Sequence, residues 1–531
     1  MTETQTTNSP PDFSLVHDDW IPTATGDVSL AHALEHSRDI TAVSSGNPAQ
    51  DVAILRWILA VIYRAYGLNA PVGGDEDAGL DQWETVWNAA NLYTDEVAAY
   101  LADHADEMTL RNLLVPEMHN AKGVWKDGRV LYPARDLFPQ TVPDAFTPAE
   151  VACAALYLNA WNTAGVKTGG VGDPRTDKGK ITGTQVGSLG WAGATTIVGS
   201  TLHETVCLNW VPTMSTPEDK PTWELAPFHP CGRDGVDDDY QPGVAELLTW
   251  QNRRLNARWE DGCATGFMVS RGDNLPVTAY LGAEPMSGFA FNKQRSSKAK
   301  VPVYTPAPMY TPGRTWRCMG GMMPSVTSAA TVSSGVGEGS PTHRPSEAAR
   351  WVGMAASEGI LPAGFVSRMY HVSYEYGTQS AVIDSTRTTE FPVPSGALST
   401  DGAYAATIRA AIDYTGDVVD KAIRSFVWAM DIARGGEGDW GTHMIEAATE
   451  FYAALSTEFN SWAQHTVGGA DELARWQRHA YHTVERVARA QVMRAPVEAF
   501  AGHEHDGTIR TASQALDILT YRLRPTKEDE Q

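Results

Sequence analysis

Apolar side chains recur at Ile445, Ala448, Tyr452, Leu455, Phe459 and Trp462, in steps of three, four, three, four and three. Only an α-helix puts such a series on one face, and a face that apolar must be covered by other elements. Helical patterns also run over 402–433, 470–495 and 509–523, joined to this one at 441–465 by short links. The last quarter of the chain is therefore predicted to be a four-helix bundle. The stretch FPVPSGALSTDG at 391–402 precedes it and marks a boundary. The expected domains are 1–394 and 395–531.

Upstream the patterns are mixed. Helical periodicity covers Asp51–Tyr66, Asp81–Leu92, Thr94–Asp103 and Pro148–Trp161, and GVAELLTWQNRRL (243–255) reads as a further helix. Short strands are expected around a turn within FSLVHDDWIPTATGDVSL (13–30) and along ATGFMVSRGDNLPVTAYLG (264–282). Residues 123–147 read as a long loop, and 319–345, rich in Gly, Ser and Thr, as a mobile one. The fold class is α+β: a large mixed α/β N-terminal domain followed by the bundle. The most apolar run, Val52 to Leu68, contains Arg56 and Arg64. It is too short and too charged for a membrane span of about 20 apolar residues, and is predicted to be a buried amphipathic helix.

A chain of 531 residues that is 42% hydrophobic and 20% charged can bury a large core. Its formal charge of −23 opposes binding to free polyanions, unless basic groups cluster locally, because charges more than about 10 Å apart are screened. Cys153, Cys207, Cys231, Cys263 and Cys318 form no CxxC pair, which argues against a zinc ribbon. The opening MTETQTTNSPPD has no apolar leader core, so reduced thiols and a cytoplasmic location are expected.

Signals for catalysis are incomplete. HETVC (203–207) supplies half of HExxH, with Cys207 where the second His is needed. GHEHDG (502–507) groups His503, Glu504, His505 and Asp506, as a metal site or as a solvated loop between helices. DGVDDDY (234–240) lacks the ligand spacing and terminal Glu of a calcium loop. No GxSxG elbow, P-loop or GxGxxG fingerprint is present. A metal-dependent hydrolase using 503–506 with Asp237–Asp239 stays as an alternative, as does a purely structural adaptor whose bundle binds protein partners.

Basic features are local. NKQRSSKAK carries Lys293, Arg295, Lys298 and Lys300 beside Asn292, as a solvated loop or as a contact to phosphate or the minor groove. Arg475, Arg478, His482, Arg486 and Arg489 share one face of the third bundle helix. They suit a solvated face paired with Asp471, Glu472 and Glu485, or a track for a nucleic-acid backbone. The Gly-dense stretch 163–190 allows close backbone approach to a ligand. In SYEYGTQSAV (373–382), Val372, Tyr374 and Tyr376 alternate before Gly377-Thr378, and Ala381 and Ile383 after it. Gly at the first central position predicts a hairpin with a type II′ two-residue turn, and leaves Gln379 just beyond the tip.

Several segments together resemble the CasA family, the large subunits of type I-E CRISPR Cascade surveillance complexes. The carriers are DDWIP (18–22), TTIVGSTLHETVCLNWVP (195–212), KPTWE (220–224), ELLTWQNRRL (246–255) and YGTQSAV (376–382), together with the helical C-terminal quarter. The resemblance spans about residue 13 to the end. It implies a non-catalytic subunit without cofactor or metal, seated beside the 5′ handle of a guide RNA among other Cascade proteins. Such a subunit reads a protospacer-adjacent motif in duplex DNA, wedges the duplex open and helps recruit a helicase–nuclease. Carried onto this sequence, the wedge falls on Gln379 with Thr378 and Gly377. The motif-reading glycine loop falls on Ala164, Gly165, Val166 and Lys167, with fewer adjacent glycines than some relatives. The minor-groove lysine falls on Lys293 or Asn292, within the basic run that ends at Lys300. The guide-handle loop lies within Leu137–Phe146, with Phe138, Pro139 and Gln140 as its contacts.

The wedge reading has a physical basis. Opening a duplex forfeits about 1.4 kcal/mol of stacking per step, and guide pairing roughly restores it. No fuel is needed, only a way past the first step. An amide suits that step because it both donates and accepts, and so can satisfy exposed base edges.

Overall fold

The computed structural model describes residues 6–7, 9–70, 74–115, 125–132, 134, 142–170, 172–225, 240–276, 279–306, 314–323, 343–362, 365–399 and 402–523. It is an α+β protein that divides into two compact units. One comprises Met1–Pro308, Ser325–Ala355 and Arg368–Glu390; the other comprises Met309–Pro324, Ala356–Ser367 and Phe391–Gln531.

The first unit is organised around the helix Pro48–Gly67. Asn47 caps it by accepting from the Ala49 amide, Pro48 occupies its first turn, and Asp51 lies near its positive end. This helix is buried almost all round rather than on one face, which corrects the amphipathic expectation. Both arginines go inside because each meets a buried carboxylate. Arg56 forks onto Glu284 at 2.8 Å with both terminal nitrogens, and Arg64 reaches Glu224 at 2.8 Å and the Pro217 carbonyl at 2.7 Å. Neutralising the charges in pairs lets a charged helix behave as core. Among the described residues, no helix is long and apolar enough to cross a membrane.

The expected helix Pro148–Trp161 forms between the same residues, opened by a capping box in which Thr147 and Glu150 bond reciprocally. The helices expected at 81–92 and 94–103 run from Glu76 to Asn88 and from Asp95 to His104. The early strand pair is Ile21–Thr23 with Gly26–Val28. The segment 243–255 breaks the helical expectation. Only Val244–Leu248 is helical, and Arg253–Glu260 is a strand antiparallel to Cys263–Arg271. Thr249 ends the helix by turning its hydroxyl back onto the Ala245 carbonyl. The second strand stops at Arg271, residues 272–276 are not strand, and Tyr280–Ala283 is a helical turn.

In the second unit, the helix predicted at 402–433 is one rod with a π turn at Thr415–Val419 between Ala403–Tyr414 and Asp420–Ala433. Thr415 bonds back to the Ala411 carbonyl and accepts from the Trp476 indole, which fixes the widened turn. Thr442–His465, Ala470–Met493 and Ala512–Leu523 complete the bundle around Phe426, Phe451, Leu455, Phe459 and Trp476. Ile445, assigned by spacing to the apolar face, is 54% exposed, and Met444 is buried in its place. The helix Thr315–Met322 belongs to this unit, although 319–345 reads as loop in sequence. Its Arg314 and Arg317 converge on Asp420, a buried carboxylate that also accepts from the Tyr452 hydroxyl. Residues 324–342 lie outside the described residues.

Candidate nucleic-acid interface

The hairpin predicted around Gln379 is built from Val366–Tyr376 and Ile383–Pro394, with Ala194–Val198 along its other edge. Its turn is not type II′. The connection spans 377–382 and closes with the Gly377 amide bonded to the Val382 carbonyl at 3.0 Å. Gly377 has φ −75°, whereas Gln379 and Ser380 carry the left-handed backbone, at +54° and +53°. At 377 the glycine is instead closely approached by a side chain. A Cβ there would lie 2.4 Å from the Asp384 carboxylate. Thr378 and Gln379 are exposed at the tip, and the left-handed turn costs about 1–2 kcal/mol per residue for side chains of this kind.

The Gly-dense stretch is an ordered three-stranded sheet rather than a loose loop. Gly165–Thr168 pairs with Lys180–Thr184, which pairs with Thr176–Asp177. The register slips between Gly165 and Lys167, and Val166 at that irregularity is 59% exposed. Gly165 has φ +97°, a conformation that favours glycine. Lys167 turns inward. Its Nζ donates to Thr163 Oγ1 at 3.3 Å, and burial, with Arg253 and Lys126 nearby, pushes its ammonium down to about 7.

These two sequence-predicted pieces meet. The Ala164 amide donates to the Ser380 carbonyl at 2.8 Å, so the start of the glycine loop is bonded to the hairpin tip beside Gln379. Tyr376 donates to the Trp161 carbonyl at 2.8 Å, and Tyr374 shares a hydrogen bond with Tyr157 at 2.9 Å. Both hairpin tyrosines have phenol pKa values pushed well up, chiefly by burial, and remain neutral. Beneath the junction lies Arg253, which is 1% exposed. It donates to Asn162 Oδ1 at 2.8 Å and to the carbonyls of Thr163 at 2.9 Å, Gln185 at 2.7 Å and Asn252 at 2.8 Å. Burial pushes Arg253 down to about 9, which leaves it charged at neutral pH. The expectation of a helix across 243–255 hid this residue. The signal for it in sequence is the pair of arginines in NRRL, set among residues that are otherwise apolar or neutral.

The basic run is not a loop. Asn292 caps a short helix, Lys293–Ala299, by accepting from the Arg295 amide, and Lys300 ends it in the left-handed conformation. This helix is inserted between the paired strands Phe289–Phe291 and Tyr304–Pro306. Lys293, Arg295, Lys298 and Lys300 are all exposed, and among the described residues none has an ion-pair partner. The stripe Arg475, Arg478, His482, Arg486 and Arg489 is exposed along Ala470–Met493. Glu472 holds Arg475 at 3.0 Å, and Glu485 holds Arg489 at 2.7 Å. Phe138, Pro139 and Gln140 lie outside the described residues, as do Asp237–Asp239.

The metal candidates are spread through structural roles. His203 is buried in the helix Leu202–Asn209, where its ring contacts the Val86 and Trp87 carbonyls. Desolvation, then Arg38, push it down to about 4. GHEHDG is not an irregular loop but a hairpin, His503–His505 with Thr508–Arg510, turned by Asp506 and Gly507 at positive φ. No group of metal-ligating side chains occurs among the described residues.

The CRISPR-associated protein Cse1 family model matches residues 14–487. This chain belongs to that family. Cse1 of Thermobifida fusca is similar over 97% of this chain and 98% of its own, with TM-score 0.82 and 24% identity. Cse1 of Acidimicrobium ferrooxidans is similar with TM-score 0.75 and 22% identity, over 97% and 98% of the two chains. A chain of a structure described as a CRISPR RNA-guided surveillance complex has TM-score 0.63 and 14% identity, over 97% of this chain and all of its own. No match is found among curated proteins. The resemblance to the CasA family is borne out, since the Thermus thermophilus structure bearing both names also shares the fold, with TM-score 0.68 at 17% identity, over 96% of this chain and all of its own.

Proposed function

We propose that this chain is the large subunit of an RNA-guided DNA surveillance complex, acting without catalysis or cofactor in the cytoplasm. It reads a short motif in duplex DNA through Ala164–Lys167, opens the adjacent step with Gln379, and helps recruit a helicase–nuclease. The observation that supports this reading is the bond between Ala164 and Ser380, which holds the backbone at Ala164 beside the exposed Gln379 amide. A duplex gripped at the loop meets the wedge without a hinge between them. Lys293, Arg295, Lys298 and Lys300 supply phosphate contacts on an otherwise acidic chain. The guide handle is assigned to the segment holding Phe138, and the other subunits supply the remaining cationic channel.

Gln379→Ala tests the reading in the assembled complex. The loss of hydrogen bonds to freed base edges is expected to slow strand opening on a matched, motif-bearing target about tenfold. Assembly and binding to a pre-opened target are expected to stay unchanged. Equal opening rates in variant and parent would refute the wedge.

A further inference from the structure

We propose that Arg253 is the positioning residue that couples the glycine loop to the wedge, by holding one peptide unit from beneath. This rests on the wedge reading above. The peptide joining Thr163 to Ala164 is gripped from both sides. Its oxygen accepts from Arg253 Nη2 at 2.9 Å, and its N–H donates to the Ser380 carbonyl at 2.8 Å. Ser380 follows Gln379 directly, and both are left-handed. A single peptide thus stands between a buried guanidinium and the tip of the hairpin.

The rest of the guanidinium is spent on the same support. Nε donates to Asn162 Oδ1 at 2.8 Å, and Asn162 is the residue that ends the helix Pro148–Trp161. Nη2 also reaches the Gln185 carbonyl at 2.7 Å, on the segment that returns from the glycine-loop sheet. Nη1 donates to the Asn252 carbonyl at 2.8 Å and contacts its side-chain oxygen. The backbone is fixed as well, since the Arg253 amide donates to Asn159 Oδ1 at 2.8 Å. No carboxylate pairs with Arg253 among the described residues; the charge is met by the Asn162 side-chain oxygen and by the carbonyls of Thr163, Gln185 and Asn252, which come from three different segments. A planar fork reaches these diverging acceptors together, and an ammonium cannot.

The geometry assigns Arg253 a role in timing rather than in affinity for the duplex. Arg253→Lys keeps the charge and removes the fork. In the assembled complex it is expected to slow opening of a motif-bearing target about tenfold, with binding to a pre-opened target unchanged, and to speed hydrogen exchange at the Ala164 amide by a similar factor. Amides within Pro148–Trp161 are expected to keep their protection, which separates lost coupling from general loosening. Unaltered opening in Arg253→Lys beside slowed opening in Gln379→Ala overturns the coupling and leaves the wedge standing. Unaltered opening in both overturns the wedge itself. If Arg253→Lys does not assemble, Asn162→Ala removes the acceptor of Arg253 Nε outside the motif-reading loop; slowed opening there supports the coupling, and normal opening overturns it.

Discussion

The hairpin junction and the basic stripe of the bundle both carry positive charge, but they hold it in opposite ways. At the junction, one guanidinium is buried, meets carbonyl oxygens only, and fixes backbone. In the bundle, Arg475, Arg478, His482, Arg486 and Arg489 stand in solvent, and the pairs they make are single helical steps to Glu472 and Glu485. A buried fork defines geometry because each acceptor it loses becomes an unsatisfied polar group. An exposed stripe supplies potential, and any one of its members is replaceable. The difference separates a site that must be placed accurately from one that needs only to be charged.

The strongest way to break this contrast is to delete both kinds of cation and compare stabilities. Arg253→Met strands the Thr163, Gln185 and Asn252 carbonyls, and is expected to lower unfolding stability by about 3–6 kcal/mol, read from urea midpoints. A loss of under about 1 kcal/mol would show that water or rearranged backbone replaces the fork.

Lys167 sharpens the comparison through pH. Its folded-state pKa, about 7, lies below the ordinary lysine value of 10.5. Folding therefore releases a proton in this range. The resulting penalty grows as pH falls from 10.5 toward 7 and is complete below 7. Lys167→Met removes it, so the stability of the variant over the parent is expected to be greater at pH 6 than at pH 9. A difference independent of pH would mean that Lys167 is solvated in the folded state.

The exposed cations should behave additively. Lys293→Ala and Lys298→Ala are each expected to weaken duplex binding by the complex and to reduce the salt slope by about one, with unfolding midpoints unchanged. A slope that does not change removes that lysine from the interface. The smallest effect is expected in the bundle. Arg486→Ala should alter stability by no more than about 0.5 kcal/mol. A larger loss would mean that the stripe is structural.

Much of the fold was legible in local pattern. Pro148–Trp161 was bounded correctly because Thr147, Pro148 and Glu150 write a helix start explicitly. The bundle helices followed from one-sided apolar spacing. Gln379 was correctly expected near a hairpin tip, but its turn was not. Gly377 has an ordinary backbone, while the unusual backbone falls on Gln379 and Ser380, which no turn rule selects. The charge of Asn292–Lys300 suggests a solvated loop or a phosphate contact and says nothing of the helix that Asn292 caps.

The family, the helices with marked caps and periodic faces, and the clusters of cations can be read from the chain alone, because each is written in residues a few positions apart. The place of Arg253 in a strand beneath the glycine loop, and the bond from Ala164 to Ser380, emerge only once the chain is folded. Those contacts join residues tens to hundreds of positions apart, and a backbone hydrogen bond leaves no mark on which side chains flank it. The burial of Arg56 and Arg253 follows the same rule: a charge goes inside when distant partners arrive together to satisfy it.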